Sequence, residues 1–74
     1  MKVIIYSKPG CGYCEMAKQL ATAKGCEVEY LMMGQDFGAK QMFELFPSAR
    51  TFPQILVDGE AIGGYTELDK LLNA

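Results

Sequence analysis

The chain switches between two hydrophobic periods, and each switch marks an element. Val3, Ile4, Ile5 and Tyr6 form a short apolar run that Pro9-Gly10 ends, which predicts a buried strand over Lys2–Ser7 followed by a turn. From Tyr13 to Lys24 the alanines and long side chains favour helix, with Met16, Ala17, Leu20 and Ala21 as its apolar stripe and Gly25 as its C-terminal cap. Cys26 to Met32 then alternates, Val28, Tyr30 and Met32 against Glu27 and Glu29, so it reads as a strand. A strand, a helix and a strand in about 30 residues predict a right-handed crossover with the two strands parallel.

After Gly34, Asp36 is placed to cap a second helix carrying Ala39, Met42, Phe43 and Phe46 on one face, with Pro47 closing it. Gln54–Val57 and Glu60–Ile62 flank Asp58-Gly59, a dipeptide suited to the primed turn of a twisted hairpin. Gly63-Gly64 ends that hairpin. Thr66 with Asp69 three residues on resembles a capping box opening a last helix, Leu68, Leu71 and Leu72 facing inward. The order is β-α-β-α-β-β-α with no linker, repeat or low-complexity segment, an α/β class.

Length limits what this order can build: 74 residues give one small core, so residues 1–74 are expected to form a single domain. Half the residues are hydrophobic and the charges are interspersed, which is a folding composition. The net charge of -2 and the lack of a basic run give no reason to expect nucleic acid or an acidic membrane as partner. The N-terminus reaches Ser7-Lys8-Pro9-Gly10 before a signal-peptide hydrophobic region could finish, and no apolar stretch nears membrane-spanning length, so a cytoplasmic location is expected.

The candidate chemistry is Cys11-Gly12-Tyr13-Cys14, at the junction of the first strand and the first helix. Thiols at i and i+3 share a face of a helical turn and lie close enough to join, so a reversible disulfide is the leading chemistry. The first cysteine also meets the unpaired N–H groups and positive dipole of the helix start, which favour its thiolate; Cys11 is therefore the expected nucleophile. Cys14, one turn deeper, suits a resolving thiol. Zinc is the competing reading, but zinc takes four ligands, and the chain has no histidine and one further cysteine, Cys26. Cys26 opens a strand where a small apolar side chain would serve equally well, so buried filler is its default role.

With Lys8 before the motif, Cys11-Gly12-Tyr13-Cys14, Thr51-Phe52-Pro53, and Gly63-Gly64 before the last helix, the chain resembles a glutaredoxin over nearly its whole length. The resemblance implies a thioredoxin fold: a four-stranded mixed sheet in the order 2-1-3-4 flanked by three helices. It implies a monomeric glutathione-dependent oxidoreductase, with Cys11 attacking and Cys14 resolving, acting on glutathionylated or disulfide-bonded proteins. Glutathione is the implied co-substrate. Two other roles stay open: an iron-sulfur carrier in which two chains share a [2Fe-2S] cluster through Cys11 and glutathione thiols, and an electron donor to ribonucleotide reductase. Gly12 favours the carrier, since cluster-binding members often have a small residue there; outside that role no metal is expected.

The resemblance also gives roles to the rest of the site. Lys8 is implied beside the thiolate and the glycine carboxylate of glutathione, although position alone allows a solvated loop lysine. Tyr13 is implied as a wall of the glutathione site. Pro53 is implied to follow a cis peptide that turns the N–H and C=O of Phe52 outward to pair with the cysteine of glutathione, beside Thr51. Phe52 itself departs from the usual valine. Gly64, Thr66 and Glu67 are implied to hold the γ-glutamyl end, its carboxylate on helix amides and its ammonium near Glu67, where aspartate is commoner; Thr66 also reads as a plain helix cap. Lys40 and Arg50 align with cations that hold the glycine carboxylate, and equally suit a solvated face.

Overall fold

The computed structural model describes all residues, Met1–Ala74. Its elements are β1 (Lys2–Ser7), α1 (Gly12–Ala23), β2 (Glu27–Met32), α2 (Ala39–Leu45), β3 (Gln54–Val57), β4 (Glu60–Gly63) and α3 (Tyr65–Leu72). The sheet order is β2-β1-β3-β4, with β1 parallel to β2 and antiparallel to β3, and β3 antiparallel to β4. This is the expected four-stranded mixed sheet of the thioredoxin fold. No helix is long and apolar enough to cross a membrane.

Alternation along β1 sorts the core into two layers. Val3 and Ile5 point to one face, where they meet Ala17 and Ala21 of α1, Leu68 of α3, and Ile55 and Val57 of β3. Tyr6 points to the other, edge-on to Phe37 and Phe46 at ring centroids of 5.1 and 5.2 Å. Met42 completes that second cluster. Ser7 is fully buried on the first face, its hydroxyl donating to the Leu31 carbonyl at 2.6 Å, so its burial leaves no polar atom unpaired.

The predicted punctuation holds at two places. Gly25, at φ +80°, ends α1: its N–H reaches the Thr22 carbonyl and the Cys26 N–H reaches that of Ala21, the paired bonds of a Schellman cap. Asp58 and Gly59, at φ 50° and 87°, form the primed hairpin turn, and the Asp58 carboxylate accepts the Lys2 N–H at 2.8 Å.

Several helix readings shift. The carboxylate of Asp36 accepts the Met32 N–H at 2.8 Å and so is unavailable as a cap; Gly38 becomes the N-cap of α2, with the Gln41 side chain accepting its N–H. That later start puts Ala39 and Phe43 in solvent and buries Phe37, which lies in the preceding loop. On α1 and α3, Met16 and Leu71 are exposed because the buried stripes are narrower than drawn: Cys14-Ala17-Ala21 on α1 and Leu68 alone on α3, with Leu72 half-buried. Thr66 is not the cap of α3. Gly64 is, and Glu67, in place of Asp69, reaches back to it.

Candidate active site

Two helix N-termini from the same face of the sheet converge on the site. Cys11 is the N-cap of α1, and its sulfur accepts the N–H of Cys14 at 3.2 Å, the bond a serine or aspartate oxygen makes at ordinary caps. Cys11 and Cys14 are joined as a disulfide with Cα atoms 5.3 Å apart. Their exposures differ: Cys11 is half-exposed and Cys14 is fully buried. The first turn of α1 thus carries a disulfide with one sulfur reached by solvent and the other behind it.

The second N-terminus belongs to α3. Glu67 accepts the Gly64 N–H through Oε1 at 2.7 Å, which fixes the turn that enters the helix. Its side chain lies over Gly63, at φ +112°, where a Cβ would sit 2.8 Å from Oε1. Gly64 packs its backbone against the loop before β3, since a Cβ there would come within 3.2 Å of the Pro53 carbonyl. β4 carries an extra residue at Ile62, where the β3–β4 register shifts just before this junction.

Between the two N-termini lies a groove of about 180 Å³. Thr51, Phe52 and Pro53 form one side, and Gly64, Thr66 and Glu67 the other. Tyr13 and Tyr65 close it, their rings 5.9 Å apart. Tyr13 is well exposed. The Phe52–Pro53 peptide is cis, as the resemblance implied, and neither the N–H nor the C=O of Phe52 has a partner within the molecule. The first-turn amides of α3 likewise lack helical acceptors, so the groove offers main-chain donors along its length.

Lys8 and Cys11 border a neighbouring depression of about 350 Å³, with Gly12, Glu15 and Tyr30. The Lys8 ammonium lies over the Phe52 ring, 5.6 Å from its centroid, on the seam between the two hollows. Arg50 borders a third hollow beside Phe46 and Pro47, which meets the groove only at Thr51. Lys40, exposed on the first turn of α2, borders none of these. Sequence reasoning missed Tyr65, whose adjacency to Tyr13 depends on how α1 packs against α3. It also missed the capping role of Glu67, although a Gly-x-x-Glu spacing before Leu68 carries that signal. Cys26 stands apart from the site, half-buried against the α1/α3 core at the Schellman turn.

The glutaredoxin family profile matches residues 3–62. Over 68 residues the chain is 35% identical to the hybrid peroxiredoxin hyPrx5 of Haemophilus influenzae, covering 92% of this chain and 28% of that protein. It is 36% identical over 74 residues to the mitochondrial glutaredoxin-2 of Bos taurus, covering 93% of this chain and 46% of that one. The chain therefore spans less than half the length of either relative. Among solved structures, glutaredoxin 1 from Francisella tularensis superposes with a TM-score of 0.72 at 32% identity, covering 99% of this chain and 98% of that one. Fold, motif placement and these likenesses agree: the chain belongs to the glutaredoxin family.

Proposed function

We propose that this chain is a dithiol, glutathione-dependent thiol–disulfide oxidoreductase. The observation that carries the reading is the inequality of the two sulfurs, Cys11 half-exposed at a helix N-cap and Cys14 buried within bonding reach. The N–H of Cys14 and the dipole of α1 both favour negative charge on Cys11, and the thiolate is the attacking species.

With a glutathionylated protein, the Cys11 thiolate attacks the glutathionyl sulfur. The Cys11–glutathione disulfide forms as the mixed disulfide between the substrate protein and glutathione breaks, and the substrate protein leaves as a thiolate. A second glutathione thiolate then attacks that glutathionyl sulfur, giving glutathione disulfide and free Cys11. With a protein disulfide, Cys11 forms a mixed disulfide with one substrate sulfur. Cys14 attacks Cys11, the reduced substrate leaves, and two glutathiones reduce the Cys11–Cys14 bond. The electrons come from NADPH through a separate reductase, in a reducing compartment such as the cytoplasm.

Glutathione is proposed to lie along the groove, its cysteine pairing with the free N–H and C=O of Phe52 as an added strand would. The γ-glutamyl carboxylate fits the first-turn amides of α3 at Thr66, beside Gly64. Glu67 keeps one carboxylate oxygen free of the cap and suits the ammonium. Tyr13, Thr51 and Pro53 shape the walls. Lys8 is the nearest cation for the glycine carboxylate, with Lys40 and Arg50 on the α2 side as outer ones.

The test is turnover of a glutathione mixed disulfide by three proteins. Cys11→Ser is expected to lose about three orders of magnitude or more. Cys14→Ser is expected to keep this activity and lose reduction of protein disulfides. Full activity in Cys11→Ser would refute the mechanism, and total loss in Cys14→Ser would refute the monothiol route.

Gly12 supports the second reading, a cluster carrier. The space beside it is open, since a Cβ there would meet nothing within 4 Å, and Cys11 next to it is half-exposed. In that reading, as the resemblance implies, a [2Fe-2S] cluster is shared through Cys11 of two chains and two glutathione thiols. A brown purified protein supports this role and a colourless one the enzyme. The partners suggested are glutathionylated or disulfide-bonded proteins, ribonucleotide reductase among them. The likeness to a hybrid peroxiredoxin makes peroxiredoxins a further class to try.

A further inference from the structure

We infer that Phe52 is a positioning residue for Lys8: its ring holds the lysine ammonium at the rim of the hollow that Cys11 also lines, so the positive charge felt by the reactive sulfur depends on an aromatic side chain at position 52. The inference rests on the reading of Cys11 as the nucleophile.

Lys8 is exposed just beyond β1, on a stem with four rotatable bonds, and a free lysine there would spread its charge over many rotamers. No carboxylate restrains it. The molecule's one ion pair joins Lys2 to Glu29, and Glu15, the acid bordering the same depression, faces the Tyr30 hydroxyl at 3.5 Å. The contact that does hold Lys8 is the face of Phe52, 5.6 Å from ammonium to centroid, inside the range where the ring's quadrupole attracts a cation. Phe52 can act as an anchor because it is itself held. It is half-buried against the cluster of Phe37, Met42 and Phe46, and its backbone leads into the buried Pro53. An aliphatic side chain at position 52 would fill that space and offer no negative face.

Alkylation of the reduced protein reads the charge directly. In both reactions the Cys11 thiolate displaces iodide and forms a sulfur–carbon bond, but iodoacetate is an anion and iodoacetamide is neutral. The ratio of their rates, with the modified sulfur located by fragmentation mass spectrometry, reports the local potential and does not move with packing alone. Phe52→Leu is expected to lower the iodoacetate-to-iodoacetamide ratio about two- to fivefold, the population bias an exposed cation–π contact supplies. Phe52→Tyr should keep the wild-type ratio. In a Lys8→Met background, Phe52→Leu should change nothing further.

An unchanged ratio in Phe52→Leu, or the same fall with and without Lys8, would overturn the inference. Failure of Cys11 to react with either reagent would instead overturn the reading of Cys11 as nucleophile, so the two failures are separable. A measurement without substitution guards against a variant that does not fold. In the wild type the ε-methylene protons of Lys8 should be shifted upfield by the ring in proton NMR; ordinary lysine shifts would also overturn the inference.

Discussion

The two faces of the sheet are built to different depths. On the face covered by α1 and α3, six of the seven clustered side chains are fully excluded from solvent. On the other face the only helix is the short α2, and the cluster there, Phe37 from the loop before it, Met42 within it and Phe46 at its C-cap, keeps 7–8% of each residue's surface exposed. Both helix N-termini that build the site, at Cys11 and Gly64, belong to the deeper face. Phe52, which holds Lys8, leans on the shallower one. The atoms proposed to do the exchange chemistry are thus fixed to the rigid layer, and the side chains that tune charge at the rim hang from the layer with least support.

Truncating one core residue on each face tests this contrast with the largest effect. Leu68→Ala removes a fully buried α3 side chain that packs among buried residues of α1, β1 and β3, and should cost toward the upper part of about 2–5 kcal/mol. Met42→Ala removes a flexible side chain at a layer open to solvent and should cost nearer about 2 kcal/mol. At this chain length each kcal/mol moves the melting temperature by about 4–8 °C, so urea or thermal unfolding followed by circular dichroism resolves the two. Equal losses would erase the distinction between the faces.

Next in size is the junction that carries the groove. Gly63→Ala places a Cβ at a φ that favours glycine and within 2.8 Å of Glu67 Oε1, and should cost about 1–3 kcal/mol. Glu67→Ala removes the bond to the Gly64 N–H and should cost about 1 kcal/mol. Combined, the two should cost less than their sum, because the crowding disappears with the carboxylate while the backbone term stays. Strict additivity would mean that the Glu67 side chain does not rest on Gly63. Glutathione turnover by the same proteins sharpens the comparison: on the proposed binding mode Glu67→Ala also raises KM, since it removes the acceptor for the ammonium.

The deeper face was the more legible in the sequence, for a physical reason. β1 reads as an unbroken apolar run because it is central and packed on both faces, and Gly25 and Asp58-Gly59 announce turns because few residues tolerate those backbone angles. The Cys11-Gly12-Tyr13-Cys14 motif sits at a strand-to-helix junction that pattern alone locates. The shallower face was misread at Asp36, Ala39 and Phe43, and Phe37 was left without a role. A seven-residue helix gives less than two full turns in which periodicity can show, so its phase hangs on where it starts. The start depended on a bond from Asp36 to the Met32 amide, a contact that spacing does not reveal. The α3 cap failed similarly: Thr66-x-x-Asp69 and Gly64-x-x-Glu67 both fit a helix start, and the competition is settled by the close approach of Gly64 to Pro53.

Phe43 offers the smallest and most discriminating test, because it adjoins Met42 in sequence yet is 72% exposed. Fully burying a phenylalanine is worth about 1.5–3 kcal/mol, so the part hidden here accounts for less than about 1 kcal/mol. Serine and phenylalanine have similar helix propensities, which leaves the helix itself nearly indifferent to the exchange. Phe43→Ser should therefore change stability by less than about 1 kcal/mol, against the loss of about 2 kcal/mol expected one residue earlier for Met42→Ala. Adjacent residues with so different a response would show that α2 buries one narrow edge, led by Met42. A loss above about 1 kcal/mol for Phe43→Ser would mean that α2 packs a broader face than the edge led by Met42, and the shallow side would no longer be the less supported one.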